Sequence, residues 1–215
     1  MRRQVFIVWF VIFLAWALFR AYTSLPEWID EYLAKPVIFV LPVFLIVIFR
    51  EKKTVCTLGL CPSGKDFFLD LFIGVCIGIV FALEGLFSNY LKYGQFNFMP
   101  LTALREAGGI TAFLALNIVS ASWEEILGRG YLFQRLYLAT GILWRAAFTS
   151  SFLFFLLHVP IIFTRLHLRG VPFLVYVMTT VLLGVTNCYL LAWRKQLTLP
   201  ILVHAFWNMT VALYL

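Results

Sequence analysis

The chain has 215 residues, 63% of them hydrophobic and 13% charged, with a formal net charge of +7 and a mean hydropathy of +0.95. Soluble globular domains carry about 25% charged and about 45–50% apolar residues, so a water-soluble fold is excluded, and the long apolar blocks exclude the alternating pattern of a membrane β-barrel. In such a chain the positive charge reports loop orientation, not a nucleic-acid partner. At about 20 residues per span, residues 1–215 read as one all-α integral membrane domain. It is a polytopic bundle of about seven spans (six to eight), with one or two interfacial helices.

In chain order, Arg2 and Arg3 precede an apolar run over residues 5–18. It reads as a retained first span, because no clear small-x-small cleavage site precedes Tyr22. Residues 23–35, with Pro26 and several acids, read as a loop. A short apolar block at 36–49 ends in the run Arg50-Glu51-Lys52-Lys53, and a third block covers 67–87. Residues 88–109 are the least hydrophobic stretch, broken by Pro100 and the Gly108-Gly109 pair, and suit a loop with an interfacial segment. A fourth block at 110–127 carries Glu124 and Glu125 at its far end. The mixed aromatic stretch 131–144, with Arg135, suits a helix lying at the interface. A fifth block at 146–163 is closed by Pro160, a sixth covers 171–193 and a seventh 197–215. There is no internal repeat.

The basic N-terminus, the 50–66 loop, the 129–145 segment and Arg194-Lys195 favour one side of the membrane, and the acidic 23–35 loop the other. The expected placement is a prokaryotic cytoplasmic membrane with the N-terminus cytoplasmic, although Arg165 and Arg169 then fall outside, against the rule. Of the four cysteines, Cys56 and Cys61 lie in the short basic loop on the cytoplasmic side, where thiols stay reduced. With no histidine near them they are expected to be free thiols, not a zinc knuckle.

Charged side chains near mid-span each cost about 2.5–3.5 kcal/mol and are functional by default. Glu125 and Arg129 lie four residues apart on one helical face, in the order that favours an ion pair. Glu124 points about 100° away, so one carboxylate can be neutralised while its neighbour stays available as a general base. The alternative is that both glutamates cap the span at the interface while Arg129 snorkels to water. Two of the three histidines, His158 and His204, fall within predicted spans. Phe154 lies four residues before the first and Asn208 four residues after the second. Glu124 and His204 are expected roughly 10 Å from the cytoplasmic side at 1.5 Å per residue. Polar groups converging from three spans argue for a site. Glu84 reads as an interfacial carboxylate, Asn117 and Asn187 as interhelical hydrogen-bonding amides, and His167, with Arg165 and Arg169, as solvated loop.

The string Glu124-Glu125-Ile126-Leu127-Gly128-Arg129-Gly130-Tyr131-Leu132 resembles the E-E-x-x-x-R motif of the CAAX-protease and bacteriocin-processing family of intramembrane proteases. Phe154-x-x-x-His158 is similar to the family's second motif and His204-x-x-x-Asn208 to its third, in the same order, over about residues 110–215. Gly128 departs from the bulkier residue common there, at a position flanking the motif. The resemblance implies hydrolysis of a peptide bond near the membrane surface in a membrane-associated peptide or protein tail. Glu124 would activate a water and His158 help to hold it. His204 and Asn208 would bond the developing oxyanion, with Glu125, Arg129 and Phe154 in support. Zinc held by Glu124, His158 and His204 is the alternative, but no H-E-x-x-H helix is present and Asn is a poor zinc ligand, so no cofactor is expected. The implied partners are the membrane-bound substrate and the bilayer, with oligomeric state open. A non-catalytic scaffold or immunity-type protein would have little need for His204 and Asn208 together. A proton- or ion-coupled transporter would more often show paired, broken repeats.

Overall fold

The computed structural model describes residues 2–97 and 102–214. The expected breaker Pro100 and the last residue of the seventh block, Leu215, lie outside them. Among the described residues all regular structure is helical. The long helices are α1 (Arg2–Tyr22), α2 (Glu27–Arg50), α3 (Gly64–Tyr93), α5 (Ile110–Thr140), α6 (Leu143–Leu166) and α7 (Gly170–Arg194). These six are long and apolar enough to cross a membrane. A short α4 (Thr102–Glu106) precedes α5, and the chain ends in the shorter apolar helix α8 (Thr198–Tyr214). The protein is therefore a multi-pass integral membrane protein.

The chain divides into two compact units, Met1–Cys61 with Trp123–Leu197, and Pro62–Ser122 with Thr198–Leu215. In the first, α1 turns Val5, Val8, Ile12, Trp16 and Arg20 inward. These three- and four-residue intervals are those of one helical face. Phe6, Phe10, Leu14 and Leu18 are exposed and form a face for lipid. α1 packs on α2, where Trp16 meets Phe39 edge-on at 5.0 Å, and on α6, where Trp9 Nε1 donates to the Leu153 carbonyl at 2.9 Å. In the second unit α3 and α8 approach closely through Gly74 and Gly78, where a Cβ would come within 2.7 Å of Leu202 and of Phe206. Small residues four apart permit such contact where hydrophobicity alone cannot drive helices together. Phe113, Ala121, Ala205 and Met209 form this unit's buried cluster.

Several expectations are corrected. The segment 23–35 is not a loop throughout: helix begins at Glu27 and runs unbroken to Arg50. Asp30 and Glu31 are buried in ion pairs, and π-helical turns at Asp30–Ala34, Pro36–Val40 and Ile46–Arg50 accommodate Pro36 and Pro42. A proline removes one backbone donor and crowds the preceding turn, and a wider π turn relieves both. Pro160 likewise does not close α6, which continues through a π turn, Ile162–Leu166, to a left-handed His167.

Residues 131–144 do not form a separate interfacial helix. α5 runs from Ile110 to Thr140, and its π-helical segment Ile126–Phe133 is buried at every residue. Arg135, which suggested an interface, is buried against Glu51 at 2.8 Å. Cys56 and Cys61 form a disulfide and are not free thiols. The turn Val55–Leu58 and a left-handed Gly59 bring their Cα atoms to 4.9 Å, within bridging range. Cys76 and Cys188 are free.

Arg165 has a structural explanation as well. It ion-pairs with Asp30 at 3.2 Å and donates to the Leu25 carbonyl at 2.9 Å, so its charge is answered by an acid at the same end of the helices.

Candidate active site

Glu124 and Glu125 end the α-helical part of α5, and the π-helical segment starts at the next residue. Counting 1.5 Å per residue, Glu124 lies roughly 21 Å from the start of α5 and roughly 24 Å from its end. The carboxylates are thus at mid-helix, not near one end as the apolar block suggests.

Adjacent on the helix, the two side chains enter different surroundings. Glu125 Oε1 is 3.0 Å from Arg129 Nη1 and accepts from Asn187 Nδ2 of α7 at 3.0 Å. Arg129 donates from Nε to the Gly184 carbonyl at 3.4 Å and stacks its guanidinium 4.5 Å over the Phe154 ring. Side-chain exposure is 0% for Glu125 and 1% for Arg129, so water does not moderate this pair. Its space depends on two glycines. A Cβ on Gly128 would stand 3.1 Å from the Phe154 ring, and one on Gly184 would stand 2.8 Å from Ser151 Oγ and 3.0 Å from Arg129 Nη2. Gly128 thus leaves room for the Phe154 ring beneath the arginine.

Glu124 is not left unpaired, as the reading from spacing alone had it. Its Oε1 lies 2.6 Å from Nζ of Lys35 on α2, and the same ammonium lies 2.6 Å from Glu31 Oε2, one turn earlier on α2. The other oxygen, Oε2, faces His158 Nε2 at 3.7 Å. The imidazole is oriented from behind: Nδ1 is 3.1 Å from the Phe154 carbonyl. A carbonyl only accepts, so Nδ1 carries the proton, and in the neutral ring Nε2 presents its lone pair to Glu124. Phe154 and Tyr176 stand edge-on to the imidazole at 4.8 and 6.2 Å. Trp123 Nε1 donates to the Glu31 carbonyl at 3.0 Å and ties α5 to α2. One residue before Glu31, Asp30 takes Arg20 at 2.5 Å and Arg165 at 3.2 Å.

The first unit therefore brings together Glu124, Glu125, Arg129, Phe154 and His158. His204 and Asn208 belong to the second unit, four residues apart on α8, the histidine buried and the asparagine half-buried. Asn187 is an interhelical amide as expected, whereas Asn117 donates to the Phe113 carbonyl of its own helix. Glu84 is exposed and accepts from Ser88 at 3.1 Å. Reading by motif misses Lys35 and Glu31. Their only signal in the sequence is an i, i+4 Glu–Lys pair in a segment whose charges had marked it as loop.

Zinc is poorly served by these donors. Glu124 Oε1 already faces a cation, the Lys35 ammonium. Among the described residues no group of three or more His, Cys, Asp and Glu side chains stands ready to hold a metal ion.

Residues 106–210 match the family described as type II CAAX prenyl endopeptidase Rce1-like. No curated protein and no solved structure matches the chain.

Proposed function

We propose, on the premise of the match of residues 106–210 to the type II CAAX prenyl endopeptidase Rce1-like family, that the chain hydrolyses a peptide bond in a membrane-associated peptide or protein tail by a metal-free glutamate mechanism. The observation that carries this reading is the pairing of Glu124 Oε2 with His158 Nε2 across 3.7 Å. With the imidazole neutral and its proton on Nδ1, both atoms accept, and one water can donate a hydrogen to each while its oxygen lone pair points away from both. Such a water is oriented for attack and has a base in contact with the proton it must lose.

In the proposed reaction Glu124 takes that proton as the water oxygen bonds to the scissile carbonyl carbon. His204 and Asn208, matching the third motif, are the proposed donors to the oxyanion. As the C–N bond breaks, the proton held by Glu124 passes to the leaving amine, which returns the carboxylate to its starting state. Glu125 and Arg129 keep α5 in register against α6 and α7 and take no proton. A prenylated C-terminal tail is the substrate class that the family description suggests. We place the N-terminus on the cytoplasmic side on the charges of Arg2, Arg3 and the run Arg50-Glu51-Lys52-Lys53, against which stands the Cys56–Cys61 disulfide just after that run, a bond that favours an oxidising compartment. Arg129 and Arg135, both buried in ion pairs, do not bear on orientation.

The test is turnover of a farnesylated, internally quenched peptide ending in a CAAX tetrapeptide, by purified protein in liposomes. Glu124→Gln should lower kcat by about 10²–10⁴-fold, the usual worth of a positioned general base, with the protein still folded. Exhaustive chelation should leave the wild-type rate unchanged. Wild-type turnover by Glu124→Gln would overturn the mechanism, and loss of activity on chelation would reject its metal-free form.

A further inference from the structure

Lys35 is the charged group nearest the reacting carboxylate, and none of the three motifs contains it. Its ammonium is shared: 2.6 Å to Glu31 Oε2 along its own helix and 2.6 Å to Glu124 Oε1 on α5, with side-chain exposures of 7%, 8% and 9% for Lys35, Glu31 and Glu124. Buried ion pairs are seldom retained for stability alone, because the desolvation they cost about matches the attraction they return. This one also has a geometric effect. The ammonium engages one oxygen of Glu124 and leaves the other turned to His158, so the carboxylate cannot rotate to offer both oxygens to the same neighbour.

We propose that Lys35 is a positioning residue for the glutamate base. It holds Glu124 ionised, with Oε1 anchored and Oε2 aimed at His158, while Glu31 shares the ammonium and keeps it from binding Glu124 too tightly to let it accept a proton. Among the described residues, Glu31 and Lys35 from α2, His158 from α6 and Tyr176 from α7 stand around the base, and Lys35 brings it an opposite charge. The arrangement also ties the base to α2, well outside the matched residues 106–210. The N-terminal helices thereby contribute to the site as well as to the bundle.

This inference rests on Glu124 being the base, and its test separates the two. In liposomes with the farnesylated quenched peptide, Lys35→Met should lose on the order of 10²-fold in kcat with KM within about threefold of wild type. Lys35→Met/Glu124→Gln should be no slower than Glu124→Gln alone, because residues acting through one group do not add. Glu31→Gln should fall between wild type and Lys35→Met.

A second arm needs no substrate. Infrared difference spectra taken against Glu124→Gln should show an ionised carboxylate for Glu124 in the wild type and a protonated carboxyl in Lys35→Met. Should Lys35→Met fail to accumulate in membranes, Glu31→Gln/Lys35→Met buries one uncompensated charge fewer and carries the same expectation in both arms. Wild-type kcat in the lysine variant, or an unchanged carboxylate band, overturns the proposal. Full activity in Glu124→Gln would instead overturn the catalytic reading, and the infrared arm still decides what Lys35 does to Glu124.

Discussion

Glu125 meets an arginine one turn along its own helix and an amide from α7, whereas Glu124 meets a lysine from α2 and an imidazole from α6. The first cluster is closed. Its charges balance one to one, both charged side chains are at most 1% exposed, and the guanidinium sits 4.5 Å over the Phe154 ring. The second leaves room for chemistry. It has two carboxylates for one ammonium, a histidine side chain 20% exposed, and a 3.7 Å gap between Glu124 Oε2 and His158 Nε2. A turn of about 100° between successive residues is enough to send one carboxylate into each. The contrast shows how adjacent acids in a membrane helix divide their work: one neutralised for structure, the other anchored at one oxygen and held ready at the other.

The comparison breaks most visibly on the closed side. Arg129→Met leaves Glu125 buried without its counter-ion, and such a loss costs about 3–5 kcal/mol. The expected result is a protein that unfolds at lower denaturant in detergent, with whatever remains folded still cleaving peptide. Glu125→Met/Arg129→Met should recover much of that loss, since removing both charges of a buried pair is often near neutral. If Arg129→Met instead folds normally and loses kcat, the arginine belongs to the chemistry and the division between the two glutamates is wrong.

Gly184→Ala presses on the same cluster more gently. The added methyl stands 2.9 Å from Ser151 Cβ, an atom close to the α6 backbone that cannot swing aside, and 3.0 Å from Arg129 Nη2. Overpacking of this kind costs about 1–3 kcal/mol, and the gain in helix propensity, about 1 kcal/mol, offsets only part of it. A lower thermal midpoint at unchanged KM is expected. A midpoint equal to or above wild type would show that α6 and α7 can part enough at Ser151 to admit a methyl group.

Hydropathy made the spans legible, because a block of about 20 apolar residues has few other uses. It misled where charge sits inside the protein. Asp30, Glu31 and Lys35 looked like loop chemistry and are the buried inner face of α2. Arg135 looked interfacial and is covered by Glu51 and Thr57. For Asp30, Lys35 and Arg135 a partner that makes burial affordable lies on another element, 89 residues away in the case of Lys35 and Glu124, and no periodicity within a helix reports it. The Glu125–Arg129 pair was readable for the opposite reason, since both partners lie within one turn. Motif spacing reached Glu124, Phe154 and His158. It could not reach Lys35, whose place in the site is decided by where α2 packs. The disulfide was missed because the loop was assigned to a reducing compartment from its charges, whereas the turn at Val55–Leu58 and Gly59 holds the two cysteines within bridging range.

The smallest effect is expected just outside the reactive cluster, at Arg165. Asp30 is the residue next to Glu31, so it could in principle pass electrostatic changes to Lys35 and Glu124. Yet Asp30 is already paired with Arg20 at 2.5 Å, both side chains almost fully buried, and Arg20 is backed by the Trp16 ring at 4.5 Å. Arg165, by contrast, has 35% of its side chain exposed, and exposed ion pairs contribute about 0–1 kcal/mol. Arg165→Met should therefore lower stability by less than about 1 kcal/mol and leave kcat unchanged, as read in the same liposome assay. A large fall in kcat would mean that the charges on α2 act as one connected network. The boundary of the reactive cluster would then have to be drawn around Asp30 and Arg165 as well as Glu31 and Lys35.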